Sequence, residues 1–219
     1  VRKPPRYLGE SGVTLLELLI ALVLLGVVTA GVYAMVVSSA NAARSTNAFL
    51  LTQAQVRAAL DNIVDEARWA EAVNAAGPTC VTLKVPSNTP FSGQSPPPSP
   101  GPSPSPGTSY SVRFEYDPVQ RAVVRQQSSN ADAVGCPLDD SPWEPVEILA
   151  YSVVHPGGPG NPCGGTVGLC FEYFDAAGNS LGPSPGSPAD IARIRVVVST
   201  TRDGATRTFA GDVALRARP

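Results

Sequence analysis

Histidine is nearly absent from this sequence, and charge is scarce. His155 is the single histidine among 219 residues, and charged side chains make up 16% of the chain. A nucleophilic hydrolase needs a base beside its serine or cysteine, and the lone histidine in "VVHPGGPGNPC" reads instead as a turn or strand end. Cysteine and histidine spacings that hold zinc are missing. "GGPGNPCGGTVG" is rich in glycine but lacks the Lys-Ser/Thr ending of a phosphate-binding loop, and no clear helix follows it. Asp139 and Asp140 in "CPLDDSP" fall well short of the ~6–8 oxygens that calcium takes. No catalytic set, metal or cofactor is expected. With a net charge of −2, nothing global calls for nucleic acid.

Long hydrophobic runs are also scarce, with one exception. "SGVTLLELLIALVLLGVVTAGVYAMVV" holds 25 residues from Val13 to Val37 with one charge, Glu17. No second run approaches the ~20 residues that a spanning helix needs, so a single-pass protein is expected. Arg2, Lys3 and Arg6 outnumber Glu10 in the first twelve residues, which keeps that end in the cytoplasm and sends everything after Val37 outside. A cleaved secretory signal is excluded, because the run is too long and continues into a helical pattern. A plain signal anchor gives no reason for Glu17, whose carboxylate in hydrocarbon costs about 2.5–3.5 kcal/mol even on lenient scales.

Cys80, Cys136, Cys163 and Cys170 all follow the apolar run, and an even count there suggests an oxidising compartment. Three pairings are open, as are four free thiols. The short, glycine-rich "GGTVGL" favours Cys163–Cys170, leaving Cys80–Cys136 as the second bridge.

Beyond Val37 the pattern stays helical. Phe49, Val56, Leu60, Ile63, Ala67 and Ala70 recur at helical spacing, Arg57, Asp61, Asp65 and Arg68 take another face, and Gly77-Pro78 closes the pattern. One helix is predicted from Thr14 to Ala76, with Gly26 and Gly31 as points of bending or close packing. Strand-like runs follow: "CVTLKV", "YSVRFEYD", "AVVRQQ", "VEILAYSVV", "LCFEYFD", "IARIRVVVST" and "TRTFAGDVALR". Short turns such as "YFDAAGNSLG" make antiparallel pairing the natural outcome. The expected fold is α+β, one long helix packed on an antiparallel sheet. Nine prolines among the 21 residues from Pro86 to Pro106 exclude that stretch from sheet and core, so an exposed loop is expected over 86–109.

"GVTLLELLIAL" resembles the N-terminal signature of type IV pilins and type II secretion pseudopilins. The resemblance implies that a prepilin peptidase cuts between Gly12 and Val13 and methylates the new amine. Val13 stands where the family usually has Phe or Met. The implied organisation is a leader over 1–12, a transmembrane half-helix over 13–37, an outer amphipathic half over 38–77 and a β-rich head over 78–219. In a filament the Glu17 of one subunit would meet the Val13 amine of the next, and opposite charges paired in a low dielectric recover much of the desolvation cost. More loosely, "QVRAALDNIVDEAR", "YFDAAGNSL" and "IARIRVVVS…VALR" resemble minor pilins of the PilW and GspJ kind. The implied partners are the peptidase, other pilin subunits, an inner-membrane assembly platform and membrane lipid. The implied location is the cytoplasmic membrane and then a pilus or pseudopilus, in the periplasm or at the cell surface. A monomeric membrane-anchored binding module is the alternative. Six arginines from Arg193 to Arg218 against Asp203 and Asp212 raise DNA as a partner, but the acidic middle of the chain favours charge pairing within or between subunits.

Overall fold

The computed structural model describes residues 14–87, 109–136, 143, 145–158, 160–161, 163–202 and 204–215. Helix α1 runs over Leu15–Trp69 and is followed, among the described residues, by nine strands: β1 Ala72–Ala76, β2 Cys80–Pro86, β3 Ser109–Asp117, β4 Ala122–Ser128, β5 Glu147–Ala150, β6 Leu169–Phe174, β7 Ser180–Gly182, β8 Arg193–Arg202 and β9 Ala205–Ala214. The class is α+β, as expected. The chain divides into two compact units, one ending at Ala48 and one beginning at Phe49. The first is, among the described residues, the apolar part of α1.

In the second unit the strands form two sheets rather than the single sheet expected. One has the order β1-β2-β3-β4-β5 and the other β7-β6-β8-β9. Every strand pairing is antiparallel. The Tyr173 hydroxyl on β6 donates to the carbonyls of Gly77 and Cys80 at 2.8 and 3.2 Å, and the Phe171 N–H bonds Pro78 O at 2.9 Å. These bonds join the second sheet to the β1–β2 turn of the first.

The sequence pattern placed the helix end at Ala76, and the structure corrects that boundary. The helix stops at Trp69, and Ala72–Ala76 forms an edge strand on β2. Alanines favour helix only weakly, and tertiary partners decide the outcome. Val73 is buried in the core, and the Asn74 amide bonds Ser111 Oγ, Ala131 O and Ala133 O at 2.9–3.1 Å. Gly77 and Pro78 therefore belong to a hairpin turn, closed by Gly77 N–H to Cys80 O at 2.8 Å, and do not end a helix.

Val56, Leu60, Ile63 and Ala67 of the anticipated stripe pack on Val81, Leu83 and Phe114 of one sheet and on Phe171, Ile194 and Val196 of the other. Gly211 marks the crossing of β9 over the helix. A Cβ there would lie 2.7 Å from Val64 Cγ2 and 3.3 Å from Leu60 Cδ1. Strand alternation puts Val112 and Phe114 toward the helix and Ser111, Arg113 and Glu115 on the opposite face, yet all of these are buried. A segment reaching Cys136 covers that second face. Thr82 donates to Gly135 O at 3.0 Å, Lys84 pairs with Asp132 at 2.8 Å, and Cys136 is disulfide-bonded to Cys80. Residues 88–108, which contain most of the expected proline-rich loop, lie outside the described residues.

Candidate functional site

Thr14 opens α1 as its N-cap. The Glu17 N–H donates to Thr14 Oγ1 at 3.2 Å, and the Leu18 N–H bonds Thr14 O at 3.1 Å. Thr14 and Glu17 have the spacing of a capping box, in which a Glu or Gln three residues after a Ser or Thr completes the helix start. An acidic group in the first turn also favours the helix dipole. The cap that is seen uses the Thr14 hydroxyl and the Glu17 backbone N–H, and sequence reasoning missed it although the T-x-x-E spacing displays it.

From Leu15 to Val37 every large apolar side chain is exposed. Removing such side chains from water is worth about 1.5–3 kcal/mol each, so tens of kcal/mol favour lipid or another protein surface. The backbone demand of a bilayer is met within the helix, and the Thr29 hydroxyl donates to Leu25 O at 2.7 Å. The segment is long and apolar enough to cross a membrane. At Gly26 and Gly31 a Cβ would meet nothing within 4 Å. The processing residues Gly12 and Val13 lie outside the described residues.

An exposed apolar half-helix that runs directly into the helix of an α+β head defines a pilin-like architecture. Residues 8–33 match the prokaryotic N-terminal methylation motif, the signature of type IV pilins and pseudopilins. That signature contains Glu17, Gly26 and Gly31, and the proteins that carry it are structural subunits processed by prepilin peptidase. No curated protein and no solved structure matches the chain.

Two clusters in the head bury an arginine together with a carboxylate, among the described residues. Arg125 on β4 donates from Nε and Nη2 to the two carboxylate oxygens of Glu66 on α1, at 2.9 and 2.7 Å, and the Tyr110 hydroxyl adds a third bond at 2.9 Å. Burial works to lower the Arg125 pKa, but the hydrogen bonds and negative charge of Glu66 outweigh it and raise it. On the far face of the same sheet, Arg113 donates to Gln126 Oε1, lies 3.7 Å from Glu115 and stacks over Trp143 at 4.5 Å. Neither cluster was foreseen, because a lone Glu or Arg in a periodic run reads as solvated.

The remaining sequence candidates disperse. His155 Nδ1 accepts the Gly157 N–H at 3.2 Å within a turn. Cys163 is bonded to Cys170. Asp139 and Asp140 lie outside the described residues. The closing arginines split across sheet β7-β6-β8-β9. Arg195 pairs with Glu172 and Asp212, and Arg193 stacks over Phe174 at 4.3 Å. Arg202 is on the alternate face, bonded to Thr52 of α1 at 3.3 Å.

Proposed function

We propose that this chain is a structural subunit of a type IV pilus or a type II secretion pseudopilus. It is made as a single-pass precursor with its basic start in the cytoplasm and its head outside. Prepilin peptidase cuts between Gly12 and Val13, the Val13 amine is methylated, and Glu17 then pairs with the amine of a neighbouring subunit. One observation carries this reading: the methylation motif coincides with a fully exposed apolar half-helix whose single charge is Glu17. Lone carboxylates do not persist in hydrocarbon without a partner. A minor subunit acting at initiation or at the tip suits the proline-rich insertion, which would be awkward at every position of a filament. Mass spectrometry of the mature chain tests the reading. A methylated Val13 is expected at its N-terminus, and an intact leader or a cut beyond Val37 would refute it.

A second reading has a specific observation in its favour. The T-x-x-E spacing of Thr14 and Glu17 would let the Glu17 carboxylate reach back to the Thr14 N–H in a monomeric anchor and complete the start of the helix. Removing the charge while keeping the cap separates the two.

A further inference from the structure

Beside the 3₁₀ turn Pro188–Asp190 lies a cleft of about 740 Å³. Its apolar lining includes Val73, Leu181 and Ile191, and Glu71, Asp175 and Asp190 bring three carboxylates, with no lysine, arginine or histidine among the described lining residues. Several acidic side chains elsewhere in the head do have cationic partners: Glu66 and Glu147 pair with Arg125, Asp132 with Lys84, and Glu172 and Asp212 with Arg195. Among the described residues, none of the three cleft carboxylates takes part in an ion pair. Asp175 accepts bonds from the Asn179 side chain and backbone, which hold its pKa below the usual carboxylate range and keep it ionised. Glu71 accepts only a 3.3 Å bond from Ser109.

The outer strands of both sheets border the same cleft. Val73 belongs to β1, the edge strand of the five-stranded sheet, and Leu181 to β7, the edge strand of the other. Uncompensated negative charge around an apolar floor selects a segment with an apolar side chain next to a cation.

We propose that this cleft docks a basic and apolar segment of a neighbouring subunit, its apolar side chain on Val73, Leu181 and Ile191 and its Lys or Arg at Glu71 and Asp190. The inference rests on the subunit reading above and adds the chemistry of the contact. Glu71 and Asp190 are both exposed, so changing them leaves the core untouched.

The test uses the full chain in cells that assemble the filament, with a photo-crosslinking phenylalanine in place of Ala189 and two differently tagged copies. The expected adduct joins different polypeptides and maps to a segment with Lys or Arg beside an apolar residue. Its yield should fall about five-fold or more in the Glu71→Lys/Asp190→Lys variant and partly in Glu71→Gln/Asp190→Asn. Changing the mapped cation to Glu should restore the adduct to the Lys variant. Adducts confined within one chain at Arg216–Pro219, adducts with lipid, or a yield indifferent to charge reversal would each overturn the proposal. The mature N-terminus in the same sample reports on the parent reading. Correct processing at Val13 without a charge-dependent adduct removes the cleft alone, whereas an intact leader removes the subunit reading itself.

Discussion

Glu66 and Arg125, 59 positions apart in the sequence, share two hydrogen bonds of 2.9 and 2.7 Å at the interface between α1 and β4. Both side chains are largely withdrawn from water, with Glu66 at 4% exposure. Replacing Arg125 with Leu leaves the Glu66 carboxylate buried with only Tyr110, and should cost about 3–5 kcal/mol. Replacing both as Glu66→Leu/Arg125→Leu should cost much less, because no charge is stranded. Urea denaturation of the detergent-solubilised chain distinguishes these outcomes. Equal losses would mean that the pair contributes little beyond packing.

Glu17 allows a sharper substitution than alanine. Glutamine keeps the side-chain oxygen that a capping box uses and removes only the charge, while the bond from the residue-17 backbone N–H to Thr14 Oγ1 survives either substitution. Under the subunit reading, Glu17→Gln and Glu17→Ala should both abolish incorporation into filaments while the head still folds. If the role is capping, Gln should behave as wild type and only Ala should be impaired. Filament yield after shearing, with head folding followed by circular dichroism, reads the difference.

The two disulfides should contribute unequally. Cys80–Cys136 spans 56 positions and Cys163–Cys170 spans 7. Loop-closure entropy assigns about 4 kcal/mol to the longer loop and about 2.5 kcal/mol to the shorter. Paired Cys→Ala variants compared by thermal unfolding should therefore rank Cys80/Cys136 as the more damaging. The longer bridge also secures the cover over Arg113, so its loss should increase protease cleavage around 129–136.

Gly211→Ala should destabilise the head by about 1–3 kcal/mol, because its methyl group would press on Val64 and Leu60. Val64→Ala should relieve most of that cost in the double variant. Additive losses would show that the helix and β9 yield to each other freely.

Burial raises the Tyr173 pKa. The folded pKa therefore lies above the unfolded one. The associated stability is fully present below the unfolded value near 10 and is lost as pH climbs from there toward the folded value. Melting temperature followed upward from pH 9 should decline, and Tyr173→Phe should flatten that decline. At neutral pH the same substitution should cost about 1–3 kcal/mol through the lost bonds to Gly77 and Cys80.

Much of the architecture is legible wherever local periodicity carries it. The apolar run and Glu17 stand out because a bilayer-length helix needs an unbroken apolar stretch and a single charge interrupts it. Strands β2, β3, β4, β6, β8 and β9 follow from β-branched runs between turn residues, and the "EYDPVQ" turn forms as Asp117 accepts the N–H groups of Val119 and Gln120 at 2.7 and 3.0 Å. The candidate cleft was not legible, because its lining comes from β1, the β6–β7 turn and the 3₁₀ turn, brought together only by folding.

What the sequence determined by itself is the membrane-length helix, the methylation motif and the strand-rich head, each written in neighbouring residues. Tertiary structure alone decided that Ala72–Ala76 leaves the helix for a sheet edge, that Glu66 and Arg113 are buried, and that the strands divide into two sheets. The reason is that these outcomes depend on partners 30 or more positions away for Asn74, and nearly twice that for Glu66. Desolvation and hydrogen bonding supplied across such distances outweigh the weak helix preference of alanine and the surface preference of a charge.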